Sequence, residues 1–178
     1  MKKIIYIITL GTIANFSNAQ VSFGGKETVE GTATLVDFNN TPGNFRGIIL
    51  SAVENNSKAL ASTASENNGT FLYDNSDSKV KMYENGTWVN LSPAGDNTAI
   101  IVNTSADKSS ENQGVIIGKS TSNAKGILVL ESADKAIILP RIANPDTTVK
   151  SPYPGMICYD TISKSLAVFN GIVWNYWK

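Results

Sequence analysis

Histidine is absent from the 178 residues, cysteine occurs once, and arginine occurs only at Arg46 and Arg141. Without histidine the chain lacks the usual general base near neutral pH and the commonest metal ligand. A single cysteine, Cys158, excludes an intrachain disulfide and any cysteine-cluster metal site. Two arginines and a balance of 15 basic against 15 acidic residues leave no basic groove for nucleic acid. Charged residues make up only 17% and aromatic residues 8%. These absences point away from an enzyme, a cofactor or a resident metal.

The longest apolar run stands at the start. Met1-Lys2-Lys3 is followed by Ile4 to Ile13, and Ser17-Asn18-Ala19 places small residues at −3 and −1 of a cleavage point. The run is shorter than the ~20 residues needed to span a bilayer as a helix. A signal peptide over residues 1–19, cut between Ala19 and Gln20, is therefore expected. The mature chain then has no transmembrane segment, and losing Lys2 and Lys3 leaves 13 basic against 15 acidic residues. An exported protein, extracellular or on the outer cell surface, is the expectation.

What fills the rest is a repeat. Gly69-Thr-Phe-Leu-Tyr-Asp74 reads like Gly155-Met-Ile-Cys-Tyr-Asp160, and the same offset carries Val80 onto Leu166, Met82 onto Val168, Tyr83 onto Phe169 and Trp88 onto Trp174. Upstream, Gly47-Ile-Ile-Leu50 matches Ala136-Ile-Ile-Leu139, and Gly25-Lys26 and Leu35-Val36 match Gly118-Lys119 and Leu128-Val129. Order is kept while spacing drifts, as when insertions fall in loops. The expected organisation is unit one over 20–92, a polar linker over 93–113 and unit two over 114–178.

Asn, Ser and Thr supply 52 residues, which compete for backbone hydrogen bonds inside helices and suit turns and strand ends. Phe71 to Tyr73 and Val80 to Tyr83 flank a turn at Asn75-Ser-Asp-Ser78, and Lys79 and Lys81 alternate with Val80 and Met82. That alternation predicts a sheet with one wet face. Asn85-Gly86 and Asn170-Gly171 are tight-turn signals, each leading to a strand that carries a tryptophan. Thr98 to Val102 could form one further strand, and Asn55 to Asn68 a loop with a helical turn near Lys58-Ala-Leu-Ala61. The fold class expected is mainly β: two related β-meander or hairpin units joined by the linker, after the signal-peptide helix.

Unit two carries Gly114-Val-Ile-Ile-Gly118, Gly126-Ile-Leu-Val-Leu130, Lys135-Ala-Ile-Ile-Leu-Pro-Arg141, Pro154-Gly-Met-Ile-Cys-Tyr-Asp160 and Leu166-Ala-Val-Phe-Asn-Gly171 with Trp174. This series resembles a repeat of secreted Bacteroidetes proteins and of phage tail-fibre-like proteins. Unit one follows it more loosely, with Leu50-Ser51-Ala52 in place of Leu-Pro-Arg. The resemblance implies an elongated, often trimeric stalk or fibre element with structural or adhesive roles and no catalysis. Asp146-Thr147-Thr148 and Asp160-Thr161-Ile162 resemble short O-glycosylation sites of exported Bacteroidetes proteins, which makes Thr147 and Thr161 modification candidates.

Few other residues point to chemistry. Gly118-Lys119-Ser120 looks like the end of a phosphate-binding loop, but the required earlier glycine is Gln113. Asp74, Asp77 and Asp160 could pair as carboxylates or hold calcium, yet no EF-hand ligand pattern surrounds them. Aspartates at hairpin mouths commonly bond their own backbone two residues on. Cys158 aligns with the apolar Leu72 and reads as a buried small hydrophobe. Lys135 and Arg141 bracket an apolar strand as edge-protecting charges, or would form an inter-chain salt bridge. Trp88, Trp174 and Trp177, with Tyr83 and Phe169, are the candidate ligand or interface aromatics. They would seal small sheets or subunit contacts, or stack on sugars. Trp177 has no counterpart tryptophan in unit one and is expected to be exposed. The function expected is thus a secreted or surface structural protein of adhesin type, self-associating as a homotrimer or joining a surface assembly. The alternative is a carbohydrate-binding module with glycan partners. No cofactor and no nucleic acid are expected.

Overall fold

The computed structural model describes residues 20–60, 65–101, 114–124 and 126–178. The expected signal segment 1–19 and residues 102–113 of the expected linker lie outside the described residues. The described protein is mainly β. Unit one forms β1 (Val21–Phe23), β2 (Thr34–Phe38), β3 (Ile48–Ile49), β4 (Ala52–Val53), β5 (Phe71–Asp74), β6 (Lys79–Glu84) and β7 (Thr87–Asn90). Unit two forms β8 (Val115–Ile117), β9 (Leu128–Leu130), β10 (Ala136–Ile137), β11 (Arg141–Ile142), β12 (Met156–Asp160), β13 (Ser165–Phe169) and β14 (Trp174–Trp177). Helical structure among the described residues is one α turn, α1 (Pro145–Thr148), and 3-10 turns at Asn56–Lys58 and Ser65–Asn67.

The later half of each unit is the same four-stranded sheet. In unit one β4 lies parallel to β5, and β5, β6 and β7 then run antiparallel; β11 to β14 repeat that order and those directions. Tyr83 pairs with Trp88 and Phe169 with Trp174, so the tryptophan strands share one register. The turns differ, however. Asn85 and Gly86 both have positive φ (50° and 81°), which suits the tight I′ turn that the sequence signals. In unit two the register shifts the signal one place: Asn170 caps the turn by accepting from the Ile172 and Val173 amides, and only Gly171 has positive φ. That is the pattern of a II′ turn.

The earlier half of each unit is a parallel pair, β1 on β2 and β8 on β9. Asn39 donates its amide to the Phe23 carbonyl and Glu131 to that of Ile117. Val21 pairs with Val36 and Val115 with Leu128, so Val36 corresponds to Leu128 and Asp37 to Val129. This corrects the sequence alignment by one residue, and the glycine matching Gly118 becomes Gly24, not Gly25. Gly24 and Gly118 both have positive φ, 83° and 101°, directly after the first strand.

Two short strands cross between the units. β10 of unit two lies parallel on β2 of unit one, and β3 of unit one lies antiparallel on β12 of unit two. The units therefore share a core. Tyr73, Val80 and Leu91 pack with Ile157 and Val168, and Ile48, Leu50, Phe71, Met82, Leu139 and Leu166 surround them. Burying each large side chain there contributes about 1.5–3 kcal/mol. A second cluster, Ile142, Val149, Cys158 and Ala167, lies on the other face of the unit-two sheet beneath Met156 and Trp174.

The first part of the expected linker is pinned. Gly95 donates its amide to the Ser78 carbonyl and Asp96 to that of Asn170, while the buried Tyr73 hydroxyl reaches the Asn170 carbonyl at 3.3 Å. A Cβ at Gly95 would stand 1.7 Å from the Asn170 carbonyl oxygen, so glycine is required for this close approach. The strand expected from Thr98 does not form over Thr98–Ile101; Ile100 instead bonds back to Asn97 in a turn, and Val102 lies outside the described residues. The helical turn expected near Lys58 centres earlier, at Asn56–Lys58, because the Asn55 side chain caps it by accepting from Ser57.

Candidate functional site

The aromatic candidates divide among sheets and faces. Trp88 packs edge-on against Tyr83 at 5.2 Å between ring centres, and Trp174 lies tilted on Phe169 at 5.4 Å. Each tryptophan is half-buried against the aromatic one strand over, as cross-strand sealing of a small sheet requires. Trp177 stands three residues beyond Trp174 on the same strand and so faces the other side of its sheet. Its ring is exposed, as expected, but its Nε1–H donates to the Leu91 carbonyl at 2.6 Å and ties the last strand to unit one. Trp174 and Trp177 therefore do not share one flat platform.

The acidic candidates anchor backbone. Asp160 accepts from the amides of Asn144, Ile162 and Ser163, and Asp74 accepts from the Ser76 amide and hydroxyl and the Asn56 amide. In each unit the aspartate that ends the central strand thus holds an amide at the start of a helical turn, that of Asn56, which opens Asn56–Lys58, in one and that of Asn144, the cap of α1, in the other. Burial pushes the Asp160 carboxyl up, but the Ser163, Ile162 and Asn144 hydrogen bonds outweigh it and hold it below its ordinary value.

Unit one adds a charge cluster that the strand alternation did not anticipate. Lys81, expected on a wet face, is buried, with Nζ 2.7 Å from Asp74 Oδ2 and 2.8 Å from Asp77 Oδ2. Burial lowers the Lys81 ammonium, yet Asp74 and Asp77 more than restore it and leave it raised. Burial likewise raises Asp74, and Lys81 and Ser76 overcome it to leave the carboxyl lowered. The hairpin register carries the missing signal: Leu72 faces Lys81, so Asp74 and Lys81 lie diagonally on one face. A second pair joins the half-buried Lys26 to the buried Asp37 at 2.7 Å, with Glu30 at 3.0 Å from the same ammonium and Arg141 of unit two at 3.3 Å from Glu30. Arg141 thereby bridges the two units, while the Lys135 amide donates to the Ser132 hydroxyl.

These charges clamp structure. Among the described residues no group of three or more His, Cys, Asp or Glu could hold a metal ion. Cys158 is buried, its thiol pushed up to about 12 chiefly by desolvation. Gly118-Lys119-Ser120 follows a strand and leads through a loop to β9, with no helix to offer its amides to phosphate. Thr147 and Thr161 are both exposed; Thr147 sits in α1 and its hydroxyl donates to the Asn144 carbonyl.

Among the described residues unit two leaves a sheet edge unpaired. β8 and β9 form a two-stranded sheet, whereas their counterparts β1 and β2 carry β10 as a third strand. No described helix is long and apolar enough to cross a membrane. Residues 107–178, which include all of unit two, match the family described as "Phage tail like trimerisation region". That stretch is similar to a trimerisation region. No match to the chain is found among the curated proteins or the solved structures.

Proposed function

We propose that this chain is an exported structural protein of fibre or adhesin type, that it assembles as a homotrimer through unit two, and that it catalyses no reaction. The observation that carries the reading is the similarity of residues 107–178 to a phage tail-like trimerisation region, over the unit that contains the two-stranded sheet. The resemblance of Leu139-Pro140-Arg141, Pro154-Gly155 and Tyr159-Asp160 to secreted Bacteroidetes repeats supports a similar cellular setting. The charged start, apolar run and small residues before Gln20 support export. Small sheets with unpaired edges gain by burying them against another chain.

Amine-reactive cross-linking of the purified protein tests the assembly. A ladder that ends at three chains is expected, and single chains at every reagent concentration would refute it. In that event Tyr176 and Trp177, the exposed aromatics of the last strand, become the glycan contacts to probe. Amino-terminal sequencing of the secreted fraction tests export: a mature start at Gln20 is expected, and a retained Met1 would contradict it.

A further inference from the structure

We infer that the open edge of β9 in one copy of the chain is completed by β3 from a second copy, added as a parallel strand. The inference rests on the self-association proposed above and names the surfaces that carry it. Three observations lead to it.

The first is the repeat itself. On β2, the counterpart of β9, the equivalent edge is occupied by β10, whose Ile138 amide donates to the Val36 carbonyl at 2.8 Å. Among the described residues no strand occupies that edge of β9. The second is the state of β3, which is the unit-one counterpart of β10. β3 is bonded to β12 through one edge only, with the Leu50 amide on the Gly155 carbonyl. Amides alternate in direction along a strand, so the Ile49 amide points to the opposite edge, where no described strand lies. β10 uses that equivalent edge to bind β2. The strand needed by β9 and the free edge of β3 are therefore matched in sequence, direction and hydrogen-bonding parity.

The third is exposure. Ile127 and Leu128 on the open edge are 74% and 49% exposed, Val115 beside them 60%, and Ile49 on the donor 54%. A polar solvent leaves such an edge unpaired and its apolar side chains wet, a combination that natural sheets otherwise blunt with charge. Transfer of the β2–β10 geometry places the Ile49 amide of one copy on the Leu128 carbonyl of the next. The contact is head-to-tail, with donor and acceptor on different parts of the chain, and such contacts close into rings when the rotation allows. Residues 107–178, the trimerisation-like stretch, contain the acceptor.

Amide hydrogen exchange of the purified protein, read above and below its dissociation concentration, tests the pairing without altering the chain. The amides of residues 47–49 and 127–130 are expected to slow by about tenfold or more on assembly. Leu128→Lys, which places a charge on the acceptor edge at a half-exposed position, is expected to shift the trimer to single chains with an unchanged melting transition. An oligomer that survives Leu128→Lys, or whose amides at both segments exchange as fast as in single chains, overturns the strand pairing while leaving self-association intact. A wild-type protein that stays single-chain at every concentration overturns the self-association itself.

Discussion

At the middle of its hairpin unit one carries Lys81 where unit two carries Ala167, and in the parallel pair it carries Asp37 where unit two carries Val129. Strand order and direction are the same in the two four-stranded sheets and in the two parallel pairs. Unit one sinks charge into its sheets and satisfies it locally, Lys81 with Asp74 and Asp77, and Lys26 with Asp37 and Glu30. Unit two keeps the same positions apolar, packing Ala167 with Cys158, Ile142 and Val149. Paired buried charges add little net stability but penalise any arrangement that separates them. Apolar positions can be covered by any apolar neighbour, including one from another chain. The difference is a division of labour: unit one is fixed by charge clamps and unit two by apolar packing, and on the proposal above the open β9 edge of unit two is finished by a second copy.

Substitutions that exchange the two solutions should fail unequally. Ala167→Lys forces a long ammonium side chain into the fully buried cluster, where the one carboxylate diagonally across the hairpin, Asp160, is already held by three backbone amides, and should cost more than about 4 kcal/mol, read as loss of the cooperative urea transition. Asp74→Ala leaves Lys81 buried with Asp77 alone and removes the anchor of the Asn56 amide. A loss of about 3–5 kcal/mol in chemical denaturation is expected.

The pH dependence follows from the same pair. The Asp74 carboxyl lies below its ordinary value in the folded protein, so its contribution is present above the unfolded value of about 3.9 and is lost as pH falls through the lowered folded value. Urea midpoints should therefore drop below about pH 4, and Asp74→Asn should make that drop shallower without abolishing it, because Asp160 is lowered too.

The smallest effect sharpens the comparison most cleanly. Tyr83 is buried, its hydroxyl without a hydrogen-bond partner among the described residues, and unit two has Phe169 at the same place. Tyr83→Phe should be neutral or stabilising by up to about 1 kcal/mol in thermal denaturation. A clear loss of stability would mean that the hydroxyl is satisfied after all and that the two units differ less than proposed.

The hairpins were legible because their signals are local. Asn85-Gly86, the shared offset from Gly69 to Trp88, and the Asp74 and Asp160 turn roles all reside within a few residues of one another. The parallel pairs and the crossing strands were not, since β3 and β10 are two residues long and their partners lie about a hundred residues away in sequence. A dipeptide has no periodicity to read. Lys81 misled for a related reason: alternation marks which side a residue faces, and only the position of Asp74 across the hairpin says whether that side is wet. The pairing of Trp88 with Tyr83 and of Trp174 with Phe169 follows from the hairpin register, and the tie from Trp177 to Leu91 depends on how the two sheets pack.

On the proposed reading, unit two finds its last partner in another copy of the chain. Light scattering of the purified mature protein across a concentration series measures this directly. A mass of three chains at high concentration, falling to one on dilution or holding throughout, is the predicted result; a mass of one chain over the whole range would contradict it.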